Sequence, residues 1–266
     1  MPPIFPNNLL TRIQENLLCK GFGIRVVSSP AIVQIAHQTG YDALFIDLEH
    51  SILSLENTTQ LCTAGLLAGI TPFVRVPYQC GQGFVQRVLD AGAMGVIFPH
   101  IHGKEDAQAA VRMSKYPPLG KRSMTGQLPQ FCIAPTPVPT IVSEGNASGS
   151  TVFVMIETAE SIGNVDEIAG VDGVDVLLIG SNDLSIELGV PGQFESEVFR
   201  SALGKVSRSV KKHGKIMGLA GIYGVQAIHE WAVHELGVRF LLGEQDSGFI
   251  AKGAKGCLQD LRRLEQ

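Results

Sequence analysis

Apolar positions in this chain gather into eight short runs, at residues 22–27, 43–49, 71–77, 95–101, 151–157, 175–180, 215–221 and 239–244. Most are continuous stretches of Val, Ile, Leu and Phe, not alternations. Continuous runs predict strands buried on both faces, the habit of parallel sheets. Between them, apolar residues recur at helical spacing over 30–40, 55–68, 83–91, 104–114, 161–168, 195–213 and 224–235. Strand and helix alternate, so the repeating unit is βαβ. Eight such units over about 250 residues predict an α/β fold of the (β/α)₈ barrel (TIM barrel) type. An open doubly wound sheet is the alternative. Its glycine-rich marker is missing, because Ser28, Ser29 and Pro30 follow the first run.

Two segments exceed a bare barrel. Residues 7–20 predict an extra N-terminal helix that caps the barrel floor. Residues 116–150, with six prolines and little periodicity, form a long insertion after the fourth strand. A long irregular segment inside a compact fold is usually functional, so it is expected to be a lid or rim over the active-site mouth. No composition break divides the chain, and 1–266 is expected to be a single barrel domain.

Composition narrows the classes. Of 266 residues, 45% are apolar and 17% charged, which excludes disorder. A net charge of -4 gives no electrostatic reason for a nucleic-acid partner. No run of about 20 apolar residues could span a bilayer, and the first twenty residues carry Arg12, Glu15 and Lys20 in place of a leader's apolar core. Five scattered cysteines without a C-x-x-C pair are expected to be reduced thiols of a cytoplasmic protein.

Barrel catalysts draw their chemistry from the C-terminal ends of the strands. Those ends carry Asp47, Glu49 and His50; Arg75; Pro99, His100 and His102; Glu157 and Thr158; Gly180, Ser181, Asn182 and Asp183; and Glu244, Gln245 and Asp246. Strands one and seven end in small or apolar residues. No strand end carries a lysine, and Lys215 begins its strand, so a Schiff base has no candidate amine. Carboxylates suit a hard divalent ion. Glu157 and Asp183, one βα unit apart, could share a cation or could cap the helices that follow. Asp47 could fix the tautomer of His50 for base catalysis, or could be a helix cap beside an incidental histidine. Arg75 suits a substrate carboxylate or an internal ion pair with Glu49 or Asp47. His100 and His102, in a His-x-His pair, form a rival metal site.

Several stretches carry a resemblance. They are Tyr-Asp-Ala-Leu-Phe-Ile-Asp-Leu-Glu-His (41–50), Val-Arg-Val-Pro (74–77), Leu-Asp-Ala-Gly-Ala-Met-Gly-Val-Ile-Phe-Pro (89–99), Lys-Tyr-Pro-Pro-Leu-Gly-Lys-Arg (115–122), Met-Ile-Glu-Thr (155–158) and Ile-Gly-Ser-Asn-Asp-Leu-Ser (179–185). In these the chain resembles the HpcH/HpaI aldolases. Met155 and Ser181, where bacterial members often carry Gln and Pro, look more like the fungal branch that contains macrophomate synthase. The resemblance implies a metal-dependent aldolase or lyase that works next to a 2-oxo acid (pyruvate or oxaloacetate) through a pyruvate enolate, with an aldehyde or other acceptor. It implies Glu157 and Asp183 as ligands of a divalent ion, Mg²⁺ first, with Mn²⁺, Co²⁺ or Zn²⁺ as other options. It further implies His50 as base oriented by Asp47, and Arg75 on the enolate oxygen. Gly180 and Ser181 would bind the substrate carboxylate with support from Glu49, and Asp90 would reach a neighbouring subunit. Oxaloacetate decarboxylation or macrophomate-synthase-like chemistry is the runner-up. A CoA-ester lyase lacks a basic cluster for the CoA phosphates, and a non-catalytic metabolite-binding barrel is disfavoured by the full residue set. The family's hexamers, built as trimers of dimers that exchange C-terminal helices, would use residues 248–264, with Leu258, Leu261 and Leu264 on one face.

Overall fold

A computed structural model describes residues 4–265. Strands β1 (Cys19–Ile24), β2 (Ala43–Asp47), β3 (Thr71–Arg75), β4 (Gly95–Phe98), β5 (Thr151–Ile156), β6 (Val176–Gly180), β7 (Ile216–Ala220) and β8 (Val238–Gln245) pair in sequence order. All pairs are parallel, and β8 closes on β1. The (β/α)₈ barrel is therefore the fold of this chain. Helices α1 (Asn8–Gln14), α2 (Ala31–Gln38), α3 (Leu55–Ala68), α4 (Gln82–Asp90), α5 (Lys104–Ser114), α6 (Val138–Ala147), α7 (Ala159–Gly163), α8 (Val165–Ala169), α9 (Ser181–Glu187), α10 (Glu197–His213), α11 (Gln226–Trp231) and α12 (Asp246–Arg263) connect and follow the strands.

The helix limits have local causes. In α3 the Ser54 hydroxyl accepts from the Asn57 N–H, Asn57 answers with its own side chain, and Gly69 ends the helix in the left-handed region at φ 76°. In α10, Ser196 caps the start, and Lys211 and Lys212 sit in the last turn, where cations suit the helix dipole. Two apolar layers result. Phe45, Phe73, Phe153 and Phe240 fill the barrel, with Phe73 and Phe153 ring centres 4.8 Å apart. Val and Ile residues on the outer strand faces pack against the helices.

The capping helix is present. Leu9 is fully buried, and Asn8 donates to the Asp42 and Gly69 carbonyls, where the chain enters β2 and β3. It ends at Gln14, and Cys19 and Lys20 already belong to β1.

The expected lid is a correction. Segment 116–150 packs under and beside the barrel, not over its mouth; its Lys121 carbonyl accepts from Gln82 at the start of α4. Gln130 donates to the carbonyls of Leu89 and Ala93, beside the entrance of β4. Asn7 ties the segment's end down through the Ser148 carbonyl and the Thr151 hydroxyl. The reason is topological: the segment follows α5, so it joins a helix to a strand, and such connections lie on the floor. Only strand-to-helix loops reach the catalytic face.

Candidate active site

A cavity of about 220 Å³ opens at the C-terminal ends of the strands. Glu157 is the first residue beyond β5 and is 1% exposed; Asp183 lies in the first turn of α9, beyond β6. Neither caps a helix. Thr158 caps α7 by accepting from the Ser161 N–H, and Gly180 precedes α9 without a side-chain cap. Glu157 instead accepts the His100 backbone N–H at 2.6 Å. Burial holds the Glu157 carboxyl above its ordinary pKa; the His100 N–H and ring oppose that rise, and the negative charges of Asp183 and Glu49 add to it.

These residues fit a divalent cation. A buried carboxylate beside a second carboxylate is relieved by a positive ion, and both donors are hard oxygens. A Cβ on Gly180 would collide with the Glu157 carboxylate, so only glycine leaves room there. The Ser181 hydroxyl is buried and has no hydrogen-bond partner. No three His, Cys, Asp or Glu side chains converge for an ion among the described residues. A cation held by Glu157 and Asp183 would therefore take further oxygens from substrate and solvent.

The rival His-x-His site does not assemble. The strand ends at Phe98, so the pair is not presented on one strand face. His100 adopts φ 53° and turns its ring between Glu49 and Glu157, at 3.2 Å from each. His102 faces Glu160 at 3.6 Å.

Asp47 and Arg75 form a bidentate pair at 2.9 and 2.6 Å, and Arg75 also reaches Glu49 at 3.0 Å. Register explains it: Asp47 and Arg75 are the final, directly paired residues of β2 and β3. Burial alone would raise the Asp47 carboxyl, but the Arg75 bond and charge outweigh it and hold the pKa below its ordinary value. The expectation that Asp47 fixes the His50 tautomer is corrected. Asp47 accepts the backbone N–H groups of Glu49 and His50, shaping the turn, and both its oxygens are taken by Arg75. The His50 side chain is 58% exposed at the cavity wall, with Nε2 at 3.8 Å from Glu49.

Gly180, Ser181, Asn182 and Asp183 form one wall. Gly221 backs it at φ 90°; a Cβ there would stand 3.4 Å from the Ser181 nitrogen. No lysine lines the cavity among the described residues, and Lys215 is tied to the Val171 and Val174 carbonyls before β7. Asp90 pairs with Arg122 at 2.8 Å.

Sequence reasoning missed Arg25, Tyr223 and the bridging role of His100. The apolar run at 22–27 placed Arg25 inside the first strand, whereas β1 spans Cys19–Ile24 and Arg25 leaves it at the mouth. The buried Asp246 carboxylate accepts the backbone N–H groups of Arg25, Val26 and Val27, turning the chain out of the barrel there. That partner is 220 residues away for Val26, so no local pattern carried the signal.

Residues 26–234 match the family model described as HpcH/HpaI aldolase/citrate lyase. This chain belongs to that family. The 4-hydroxy-4-methyl-2-oxoglutarate aldolase of Chaetomium globosum is 53% identical over 260 residues, 98% of this chain and 97% of the relative. The protein of the same activity from Hapsidospora irregularis is 54% identical over 253 residues, 95% and 94% of the two chains. The crystal structure of an HpcH/HpaI aldolase from Desulfitobacterium hafniense DCB-2 superposes with a TM-score of 0.89 at 28% identity, covering 97% of each chain. This member of the HpcH/HpaI family is thus an enzyme of the aldolase class, a carbon–carbon lyase. No helix among the described residues is long and apolar enough to cross a membrane.

Proposed function

We propose that this chain is a divalent-metal-dependent aldolase that cleaves 4-hydroxy-4-methyl-2-oxoglutarate into two pyruvates through a pyruvate enolate. The observation that carries the reading is the buried Glu157 carboxylate, raised in pKa beside Asp183 and facing a wall with an unpartnered Ser181 hydroxyl. The names of the two relatives above 50% identity support the substrate. Glu157 and Asp183 would hold the ion, Mg²⁺ first. Once bound, it supplies Lewis-acid polarisation of the substrate's keto group.

The chain's own residues do the rest. His50, at the cavity wall and in contact with solvent, takes the proton from the C4 hydroxyl. The C3–C4 bond breaks; C4 becomes the keto carbon of one pyruvate, and its electron pair passes to C3 as the enolate of the other. Arg75, fixed by Asp47 and Glu49, stabilises the enolate oxygen with charge already in position. Backbone N–H groups at Gly180 and Ser181 bind the oxo-acid carboxylate. His50 returns its proton to C3, which releases the second pyruvate and restores the base. The small cavity suits a substrate below drug size, whose sites run about 300–1,000 Å³. The same reading takes the chain as a homo-oligomer built through α12, whose Leu258, Leu261 and Leu264 are exposed.

The test is pyruvate release from this substrate with Mg²⁺ or Mn²⁺, before and after chelation. Turnover that survives complete metal removal overturns the mechanism. Unchanged metal affinity in both Glu157→Ala and Asp183→Ala overturns the ligand assignment.

A further inference from the structure

The cavity has a second polar end. Arg75 is fixed by Asp47 and Glu49 at the end where the enolate forms. Arg25, which also lines the cavity, has no carboxylate within ion-pair distance among the described residues; the nearby Asp246 spends its oxygens on backbone N–H groups. One Arg25 N–H donates to Gln245 Oε1 at 3.3 Å, and Gln245 Nε2 donates to the Tyr223 hydroxyl at 3.3 Å. The Tyr223 oxygen therefore accepts, and its own proton is left to give. The remaining guanidinium N–H groups, out of five, are likewise unspent among the described residues. Burial pushes the Tyr223 phenol up, with the Gln245 bond opposing, which keeps it a neutral donor.

A cation and a row of donors facing a cavity, with no carboxylate to balance the charge among the described residues, call for an anion. Arg25 leaves β1, three strands round the barrel from the Gly180–Ser181 wall at the end of β6, and Gln245 and Tyr223 come from the exits of β8 and β7 between them. Arg25 thus offers a second anchoring point, apart from the oxo-acid end. Its backbone is held by Asp246, so the guanidinium is not required for the local fold.

We propose that Arg25, oriented through Gln245 and assisted by Tyr223, binds the carboxylate of the half of the substrate that leaves as free pyruvate, and so makes the enzyme selective for dicarboxylic 4-hydroxy-2-oxo acids. This rests on the aldolase reading above. It names the substrate class that the same site takes.

The test compares wild type, Arg25→Met and Arg25→Lys, each with saturating Mg²⁺. Cleavage of 4-hydroxy-4-methyl-2-oxoglutarate is measured against 4-hydroxy-2-oxopentanoate, which has a methyl group at the far end. Calorimetric binding of 2-oxoglutarate is measured against 2-oxobutyrate. The expected result in Arg25→Met is a loss of about tenfold to hundredfold in kcat/KM for the dicarboxylate, the scale of a charge-assisted contact, with the monocarboxylate within about twofold. Arg25→Lys should recover part of the loss. Equal losses on both substrates, or none on either, overturn the proposal. If wild type cleaves neither substrate, the aldolase reading fails, and binding still decides on Arg25: weaker 2-oxoglutarate with unchanged 2-oxobutyrate supports it, and parallel changes reject it.

Discussion

Glu157 and Asp47 are both buried carboxylates, and their surroundings push them in opposite directions. Glu157 sits among negative neighbours and is costly to ionise. Glu157→Gln should therefore abolish metal-dependent turnover while stabilising the metal-free protein by about 1 kcal/mol, the trade-off common at functional sites. Thermal melting in chelator, beside the activity assay, checks it; a melting point below wild type contradicts the burial argument. Asp47 is held below its ordinary pKa by Arg75. A depressed carboxylate adds stability that is complete above the unfolded-state pKa and lost as pH falls. Wild type should lose part of its urea resistance below about pH 4. Asp47→Asn should be weaker at pH 7 by about 2–3 kcal/mol, with a flatter acid limb, because Arg75 loses a charged partner but keeps Glu49.

At the scale of elements, strand exits and their turns set the chemistry. Gly221 follows β7 at φ 90° and lets the chain pass behind the Ser181 wall. Gly221→Ala should cost about 1–2 kcal/mol in strain and lower substrate affinity through displaced Ser181 and Asn182; denaturant midpoints and KM measure the two effects. Beneath the barrel, α1 is a floor plug held by Leu9. Leu9→Ala should cost about 2–5 kcal/mol and leave KM near wild type, since the plug lies at the face opposite the cavity. Much of this level was legible in advance. The limits of α3 and α5 coincide with their apolar periodicity and caps. Segment 116–150 takes its place from following a helix, which its irregular composition does not reveal.

For the whole molecule, barrel closure brings distant segments together, as where β8 meets β1 and Gln245 reaches Arg25. The far end of α12 has no such cover. Phe249 stacks on Phe22 at 4.9 Å, but Leu258, Leu261 and Leu264 stand exposed. Light scattering should report an oligomer, and Leu258→Glu with Leu261→Glu should shift it towards smaller species; a wild-type monomer removes the assembly idea.

The amino-acid order alone determined the barrel, the count of its strands and the strand tops that carry the acidic and basic side chains. Burial on both faces leaves a one-dimensional trace in continuous apolar runs, and turns and caps are local. Tertiary structure alone decided the partners: Asp47 with Arg75 and not the His50 ring, His100 between Glu49 and Glu157, Arg25 in the mouth beside Gln245. Partners follow from strand register and ring closure, which bring together residues more than 220 positions apart. Periodicity along a chain records how deeply each residue is buried, and carries no mark of the residue it will face.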